Sequence, residues 1–337
     1  MIMTKAKPFI KWVGGKTQLI EQLDAQLPAD FGNWENVTYI EPFVGGGALL
    51  FYMLQQYPNI RHAIINDVNP DLISSYLTVR DRPGELIASL TDIQSTYQAL
   101  RSEEARKEFY LSVRDRYNEK NLDPIENTTK FFFLNRTCFN GLYRVNKKGL
   151  FNVPFGKYAN PKICDENTIR KDSELLQRVE IMTGDFEATF PHAQGHTLFY
   201  FDPPYRPLSN TSSFNDYAKD AFNDDAQIRL KKYCDRIHAA GFSFMLSNSD
   251  SRAKNAADDF FDVLYENYQI ERVWASRSIN SKPDKRGKLT EILVHNYVMT
   301  KAKSLANDIH TEPFCIADEP QGYHLDTGIA SRNSKVS

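Results

Sequence analysis

Tyr39-Ile40-Glu41-Pro42-Phe43-Val44-Gly45-Gly46-Gly47 reads as a strand that stops at a proline, turns on three glycines and gives way to a helix. Glycine takes up backbone angles that side chains resist, and it lets a ligand approach the chain closely. The strand spans Thr38–Glu41 and the helix Ala48–Tyr57. Outward from this turn the pattern repeats. His62–Asp67 is a second strand, and Asn69–Arg80 a second helix with Asp71, Leu72, Ile73 and Tyr76 at helical spacing. Ile181–Asp185, Thr197–Asp202, Phe242–Ser247 and Ile292–Met299 are further strands. Ala226–Ala240 is an amphipathic helix, with Ile228, Tyr233, Ile237 and Ala240 on or near one face. Strands alternating with helices predict an α/β sheet with crossover connections.

One stretch interrupts the alternation. Arg82–Glu126 reads as polar helices with no strand between them. Asn127–Cys164 then holds no Asp or Glu, seven Lys or Arg and eight aromatics, including Phe131, Phe132, Phe133, Phe139 and Tyr143. Lys147-Lys148-Gly149 reads as the turn of a hairpin between Leu142–Asn146 and Leu150–Val153. The Phe131–Phe133 triplet reads as core, on a helix ending near Arg136. The domain plan is therefore discontinuous: residues 1–81 and 173–300 form the sheet domain, 82–172 an insertion, and 301–337 a polar tail.

Composition narrows the function. The 337 residues carry 41 Lys+Arg against 43 Asp+Glu, so any nucleic-acid surface must be a local patch. No apolar run approaches the roughly 20 residues needed to span a bilayer, and Met1 to Trp12 lacks a signal-peptide core. Cys138, Cys164, Cys234 and Cys315 form no Cys-x-x-Cys pair, which excludes a cysteine zinc site and suits a reducing, cytoplasmic setting. His192 and His196 are four apart, but Pro191 and Gly195 break a helix there, so no metal site is expected.

Lys11-Trp12-Val13-Gly14-Gly15-Lys16-Thr17 is not a phosphate loop, because Ile10 stands where the first glycine is required. It is either a plain turn before a helix Thr17–Leu27 or an anion site, in which N–H groups at the helix start and Lys16 bind a carboxylate. The Gly45–Gly47 turn lacks the full dinucleotide signature, since Leu50 occupies the last glycine position. Asp67 lies twenty residues after Gly47, at the end of the next strand. An acid there can hold a ribose diol, or Asp67 or Asn69 can cap the following helix. Two nucleoside-type features in one half-sheet, with neither a Walker A lysine nor the full dinucleotide signature, fit S-adenosylmethionine, which carries a ribose, an adenine and an amino-acid carboxylate.

Phe199-Tyr200-Phe201-Asp202-Pro203-Pro204-Tyr205 is the most specific signal. A strand runs into two prolines, which cannot continue the ladder and which stiffen the carboxyl edge of the sheet. The exocyclic amine of adenine or cytosine is a poor nucleophile because its lone pair is delocalised into the ring. The Asp202 carboxylate and the Pro203 carbonyl can accept its two N–H bonds and expose that lone pair. Pro204 stiffens the exit, and Tyr205 can stack on a base that has left the duplex.

With these motifs assembled, the chain resembles the Dam-like, D12-class DNA N6-adenine methyltransferases over roughly Pro8 to Tyr297. The resemblance rests on Phe9–Lys16, Glu41–Gly47, Asn66-Asp67, Gly184-Asp185-Phe186, Asp202–Tyr205, Pro207-Leu208-Ser209 to Phe214, Arg277–Ser281 and Lys285-Arg286-Gly287. It implies a Rossmann-like, seven-stranded methyltransferase sheet with an inserted helical and hairpin DNA-recognition domain. It assigns cofactor contacts to Trp12, Gly14, Lys16, Glu41, Phe43, Gly45, Asp67, Asp185, Phe186 and Asp202, and catalysis to Asp202, Pro203, Pro204 and Tyr205. The hairpin, Phe139–Asn146 and Phe151–Tyr158, resembles that of the GATC-modifying members. By that resemblance Arg144 reads one guanine and Lys11 the other. Leu142 and Pro154 pack on a thymine methyl, Phe139 wedges into the stack, and Asn140 and Asn152 join the DNA contacts. Phe139 stands where family members often carry Tyr. Arg suits guanine and Leu or Pro a methyl group, while Lys147 and Lys148 at the tip suit phosphate.

The expected partner is double-stranded DNA. A restriction endonuclease would be a functional partner without contact. Three other readings stay open at this point: a cytosine N4 methyltransferase, in which Ser more often replaces Asp202; an inactive DNA-binding homologue; and methylation of RNA or protein glutamine, where Asn is more usual at that position. Glu271–Lys288 is either a loop that orders on DNA or a solvated hairpin.

Overall fold

The structure, a computed structural model, describes residues 5–206, 222–276 and 288–299. Seven strands form one sheet: β1 Val37–Glu41, β2 Ile60–Asp67, β3 Val179–Thr183, β4 Thr197–Phe201, β5 Ser243–Ser249, β6 Gln269–Ser276 and β7 Lys288–His295, in the order β3-β2-β1-β4-β5-β7-β6. The first five pair in parallel, and β7 runs antiparallel between β5 and β6. This is the Rossmann-like α/β sheet expected of the methyltransferases. The chain moves outward from β1 through β2 to β3, then resumes on the other side with β4 and β5. The carboxyl ends of β1 and β4 thus flank the switch point where ligands of open α/β sheets bind.

Both faces of the sheet are covered, as parallel strands require. Side chains alternate along a strand, so Leu198 and Tyr200 of β4 enter one core while Phe199 and Phe201 enter the other. The α-helices among the described residues are α1 Ile20–Asp24, α2 Ala48–Gln56, α3 Pro70–Asp81, α4 Pro83–Ala99, α5 Glu103–Asn118, α6 Pro124–Thr137, α7 Glu166–Leu176, α8 Asp224–Ala239 and α9 Phe260–Leu264. Their starts follow from local chemistry. Prolines open α3, α4 and α6, and the side chains of Asn69, Ser102, Asp123 and Asn223 cap α3, α5, α6 and α8. Phe131, Phe132 and Phe133 on α6 are fully buried, so the triplet is core. They belong to the same apolar cluster as Tyr39 and Ile65 of the sheet, which ties α4–α6 to it.

Several sequence expectations need correction. The helix foreseen over Thr17–Leu27 is only the five residues of α1, with single turns on either side, so it carries little dipole to attract an anion. β3 begins two residues before Ile181 and stops before Gly184, whose φ of +127° breaks the extended run. β7 ends at His295 because the Asn296 side chain takes over the pairing, accepting from the Phe244 N–H and donating to the Phe242 carbonyl. On α8 the buried face is Gln227, Leu230, Tyr233, Cys234 and Ile237, while Ile228 is exposed. Of the two readings of Glu271–Lys288 the hairpin agrees with the flanks, since β6 pairs antiparallel with β7; residues 277–287 between them lie outside the described residues. So do residues 207–221, with the Pro207–Phe214 match, and the expected tail at 301–337.

Candidate active site

The glycine turn after β1 is built for close packing. Gly45 and Gly47 have φ of +50° and +71°, in the left-handed region that favours glycine. A Cβ on Gly45 would lie 2.9 Å from the Trp12 ring, and one on Gly47 would lie 2.4 Å from the Tyr76 hydroxyl. Trp12 therefore lies against the turn, and Tyr76 donates to the Gly45 carbonyl at 3.0 Å. Asp67, at the end of β2, accepts from the Gly45 N–H at 3.1 Å and from the Asn69 N–H at 2.9 Å. The helix cap is Asn69, whose Oδ1 accepts from the N–H groups of Asp71 and Leu72. Asp67 instead braces the glycine turn. Burial raises its pKa, and the backbone N–H groups partly offset that.

Asp202 follows β4 directly, and the two prolines end the strand there. Its Oδ1 lies 2.8 Å from Lys16 Nζ. Lys16 is only 5% exposed, donates to the Gly14 carbonyl at 3.0 Å and sits 4.5 Å over the Tyr205 ring. Burial pushes the Asp202 carboxyl up, and the Lys16 charge works against that shift. Glu41, at the end of β1, accepts from the Tyr39 hydroxyl at 2.6 Å. Burial pushes Glu41 up to about 8, against the Tyr39 bond and reinforced by the nearby Asp202 charge. The Pro204 carbonyl accepts from Gln227 Nε2 at 3.1 Å, which anchors the second proline to α8.

Phe43 and Phe186 form an aromatic pair with centroids 5.3 Å apart. Asp185 is exposed: its Oδ1 accepts from the Glu187 N–H, and its Oδ2 pairs with Arg229 at 2.5 Å. Trp12, Lys16, Glu41, Gly45, Asp67, Asp202 and Tyr205 are thus linked around the switch point. Asp185 joins the group through its neighbour Phe186.

The hairpin turn is present, but its arms form no continuous strand: Val145 pairs with Phe151, and Cys138 with Phe155, through isolated bridges. Asn146 shapes its turn, accepting from Lys148 and Leu150 N–H groups. Lys11, Phe139, Asn140, Arg144, Lys147, Lys148 and Pro154 are exposed, while Leu142 and Asn152 are half-buried. Arg144 donates to Asn152 twice, to Oδ1 at 2.8 Å and to the carbonyl at 3.1 Å. The sequence offered seven basic groups here, but several serve the fold. Lys130, Lys157 and Lys162 form ion pairs, and Arg136 donates to the Phe9 carbonyl.

Two residues escaped the sequence reading. Asn135 accepts from the Lys11 N–H and donates to the Lys11 and Gly141 carbonyls, which joins the N-terminal segment to the hairpin. Glu291 on β7 accepts from the Tyr205 hydroxyl at 2.7 Å. The available signal was a single acid in the run Lys288–His295, followed by three apolar residues.

Among the described residues no group of three or more His, Cys, Asp or Glu could hold a metal, and no helix is long and apolar enough to cross a membrane. A family model described as D12 class N6 adenine-specific DNA methyltransferase matches residues 12–279. The chain is 47% identical over 296 residues to the type II methyltransferase M.MjaIII of Methanocaldococcus jannaschii, covering 87% of this chain and 100% of that protein. It is 34% identical over 295 residues to a DNA adenine methylase of Vibrio cholerae, covering 86% and 96% respectively. To the DNA adenine methylase of Escherichia coli it is 30% identical over 291 residues, covering 86% and 95%.

Proposed function

Because this chain belongs to the D12 class of N6 adenine-specific DNA methyltransferases, we propose that it methylates N6 of an adenine turned out of duplex DNA, within GATC, using Asp202–Tyr205 as the reacting edge. The observation that carries this reading is Asp202-Pro203-Pro204-Tyr205 at the carboxyl end of β4, beside Lys16 and across the switch point from the Gly45 turn. Bound there, S-adenosylmethionine supplies a methyl group already activated on a sulfonium.

The residues present suit that cofactor. Asp67 offers carboxylate lone pairs to a ribose diol, and the glycine turn beside it has no room for side chains. Lys16 is a buried cation for the amino-acid carboxylate. Phe43 and Phe186 suit an adenine ring; Asn66, whose Nδ2 donates to the Pro42 and Gly184 carbonyls, has its Oδ1 buried without a hydrogen-bond partner among the described residues. Trp12, Gly14, Glu41 and Gly45 shape the wall, and Asp185 borders it.

Asp202 and the Pro203 carbonyl accept the two N–H bonds of the target amine, which localises its lone pair toward the incoming methyl. Asp202, already holding one amine N–H, is the group placed to accept the proton that the amine gives up once it carries the methyl. The Lys16 charge opposes the rise that burial imposes on the Asp202 carboxyl. Tyr205 stacks on the extruded base. Residues 82–172 act as the recognition domain of a catalytic domain formed by 1–81 and 173–300. Arg144 reads one guanine, Lys11 the other, and Leu142 and Pro154 meet a thymine methyl. Phe139 fills the space the adenine leaves, Asn140 and Asn152 support the hairpin contacts, and Lys147 and Lys148 touch phosphate.

Incubating plasmid with protein and cofactor and mapping methyl groups base by base tests the assignment. N6-methyladenine confined to GATC is expected, and methylation at unrelated sequences refutes the hairpin reading. Asp202→Ala is expected to leave S-adenosylhomocysteine affinity within about threefold while abolishing transfer; an active Asp202→Ala enzyme refutes the mechanism.

A further inference from the structure

Tyr205 reaches the site on a loop that the prolines stiffen but do not aim. What orients its ring comes from β7, two strands away in the sheet. Glu291 lies on β7, level with Ser249 of β5, so the antiparallel register fixes its height above the carboxyl edge. Its Oε2 accepts the Tyr205 hydroxyl at 2.7 Å and stands 4.0 Å from Lys16 Nζ, the cation that also pairs with Asp202 at 2.8 Å. Lys16 in turn lies 4.5 Å over the Tyr205 ring. The Glu291 side chain is 19% exposed, and that of Asp202 is 21% exposed. Two carboxylates, one buried cation and one phenol therefore close a ring of contacts around the reacting edge. A carboxylate in this position has a structural alternative, that of merely stabilising β7. That alternative leaves unexplained why its acceptor is spent on the one aromatic ring expected to face the base.

We propose that Glu291 is a positioning residue of the active site, which holds the Tyr205 ring by its hydroxyl and shares Lys16 with Asp202, so that ring and carboxylate are presented together to the target base. The inference rests on the reading of Asp202–Tyr205 as the base-binding edge. Glu291 does not touch the reacting atoms; it acts through Tyr205 and Lys16. Its loss therefore slows transfer without weakening the ground-state complexes. The Tyr205 contact needs a carbonyl-type oxygen rather than a charge, so an amide keeps it and loses only the longer 4.0 Å approach to Lys16.

The test is a double-mutant cycle on the full chain, with single-turnover methylation of a GATC duplex as the rate and S-adenosylhomocysteine and duplex affinities alongside. Glu291→Ala is expected to lower the rate by at least tenfold with both affinities within about threefold of wild type. Glu291→Gln is expected to recover the rate to within about fivefold of wild type. Adding Tyr205→Phe to Glu291→Ala is expected to cost less than twofold beyond the slower single variant. A wild-type rate for Glu291→Ala, a Glu291→Gln variant as slow as Glu291→Ala, or fully multiplicative losses in the double variant overturn the proposal. Should Glu291→Ala fail to fold, Glu291→Gln with and without Tyr205→Phe carries the same comparison. Asp202→Ala, run in parallel, separates the two failures: if it is active the reading of the edge is wrong, and if it is dead while Glu291→Ala is normal only the role of Glu291 is wrong.

Discussion

Replacing Asp67 by alanine separates a structural role, which the geometry sizes, from the proposed ribose contact. Its carboxylate accepts the N–H groups of Gly45 at 3.1 Å and Asn69 at 2.9 Å. Hydrogen bonds to a charged acceptor are worth about 1.5–3 kcal/mol each. Burial opposes the charge, as the raised pKa records, and takes back part of the gain. The net cost to folding is about 2–3 kcal/mol. If the same carboxylate also holds the ribose diol, cofactor affinity falls by a further 1–3 kcal/mol, or roughly 5- to 150-fold. Calorimetric titration with S-adenosylhomocysteine measures the second quantity, and urea unfolding the first. Asn69→Ala is the control: it removes the cap of α3, costs about 1 kcal/mol of stability and leaves cofactor affinity within twofold. DNA affinity without cofactor should not change in either variant. If Asp67→Ala unfolds at lower urea yet binds S-adenosylhomocysteine as wild type does, Asp67 only braces the glycine turn and the ribose assignment is wrong.

On a panel of single-substituted sites, Arg144→Ala is expected to cost about 1–3 kcal/mol at GATC and to relax discrimination at one base pair. Equal loss on every site would show that Arg144 does not read sequence. Lys147→Ala should weaken all duplexes alike and reduce the salt slope by about one; a site-dependent loss would contradict a pure phosphate contact. Stability should fall as pH rises from about 5 to 8. Burial pushes Glu41 and Asp172 each up to about 8, so the folded chain keeps protons that the unfolded chain has released above its ordinary carboxyl pKa near 4. The stability present below that value is lost as pH climbs through the folded pKa, by up to about 1.4 kcal/mol per pH unit per group. Calorimetric Tm should drop across this window and flatten in Glu41→Gln/Asp172→Asn; a wild-type Tm at pH 8 equal to that at pH 5 contradicts the buried neutral carboxyls.

The parts of the fold that local chemistry dictates were legible in the chain. Tyr39–Gly47 announced a strand, a glycine turn and a helix, and the Pro203-Pro204 pair marked a strand end. The hairpin showed itself in Lys147-Lys148-Gly149. What failed or stayed open depended on distant partners. β6 has no period of its own that outweighs its charges; it is a strand because β7 pairs with it. Ile228 looked like core, yet α8 buries Gln227 instead, because that amide donates to the Pro204 carbonyl. Which of Asp67 and Asn69 caps α3 is set by the fold: Asn69 Oδ1 accepts the Asp71 and Leu72 N–H groups. Glu291 was invisible as a site residue because its significance lies in Tyr205, 86 residues away. The basic stretch promised more free charge than it holds, since ion pairs to Glu103, Glu126 and Asp165 arise from packing.

The register of β2 with β3 has a consequence for how the molecule assembles. Asp67 lies beside Thr183, 116 residues further along the chain. A simple strand–helix–strand unit closes over about 30 residues. Closing this much longer loop costs only about 1.2 kcal/mol more, by the logarithm of loop length. The larger toll is in time, because pairings between distant segments are slow to find. Until β3 arrives, the outer edge of β2 is open to strand pairing with other chains. The helices in between shorten that search. α6 and α7 both pack on α3, so once α4–α6 have folded back, the chain re-emerges alongside β2 with α7 leading β3 to its place. The segment that makes the loop long is also the splint that closes it.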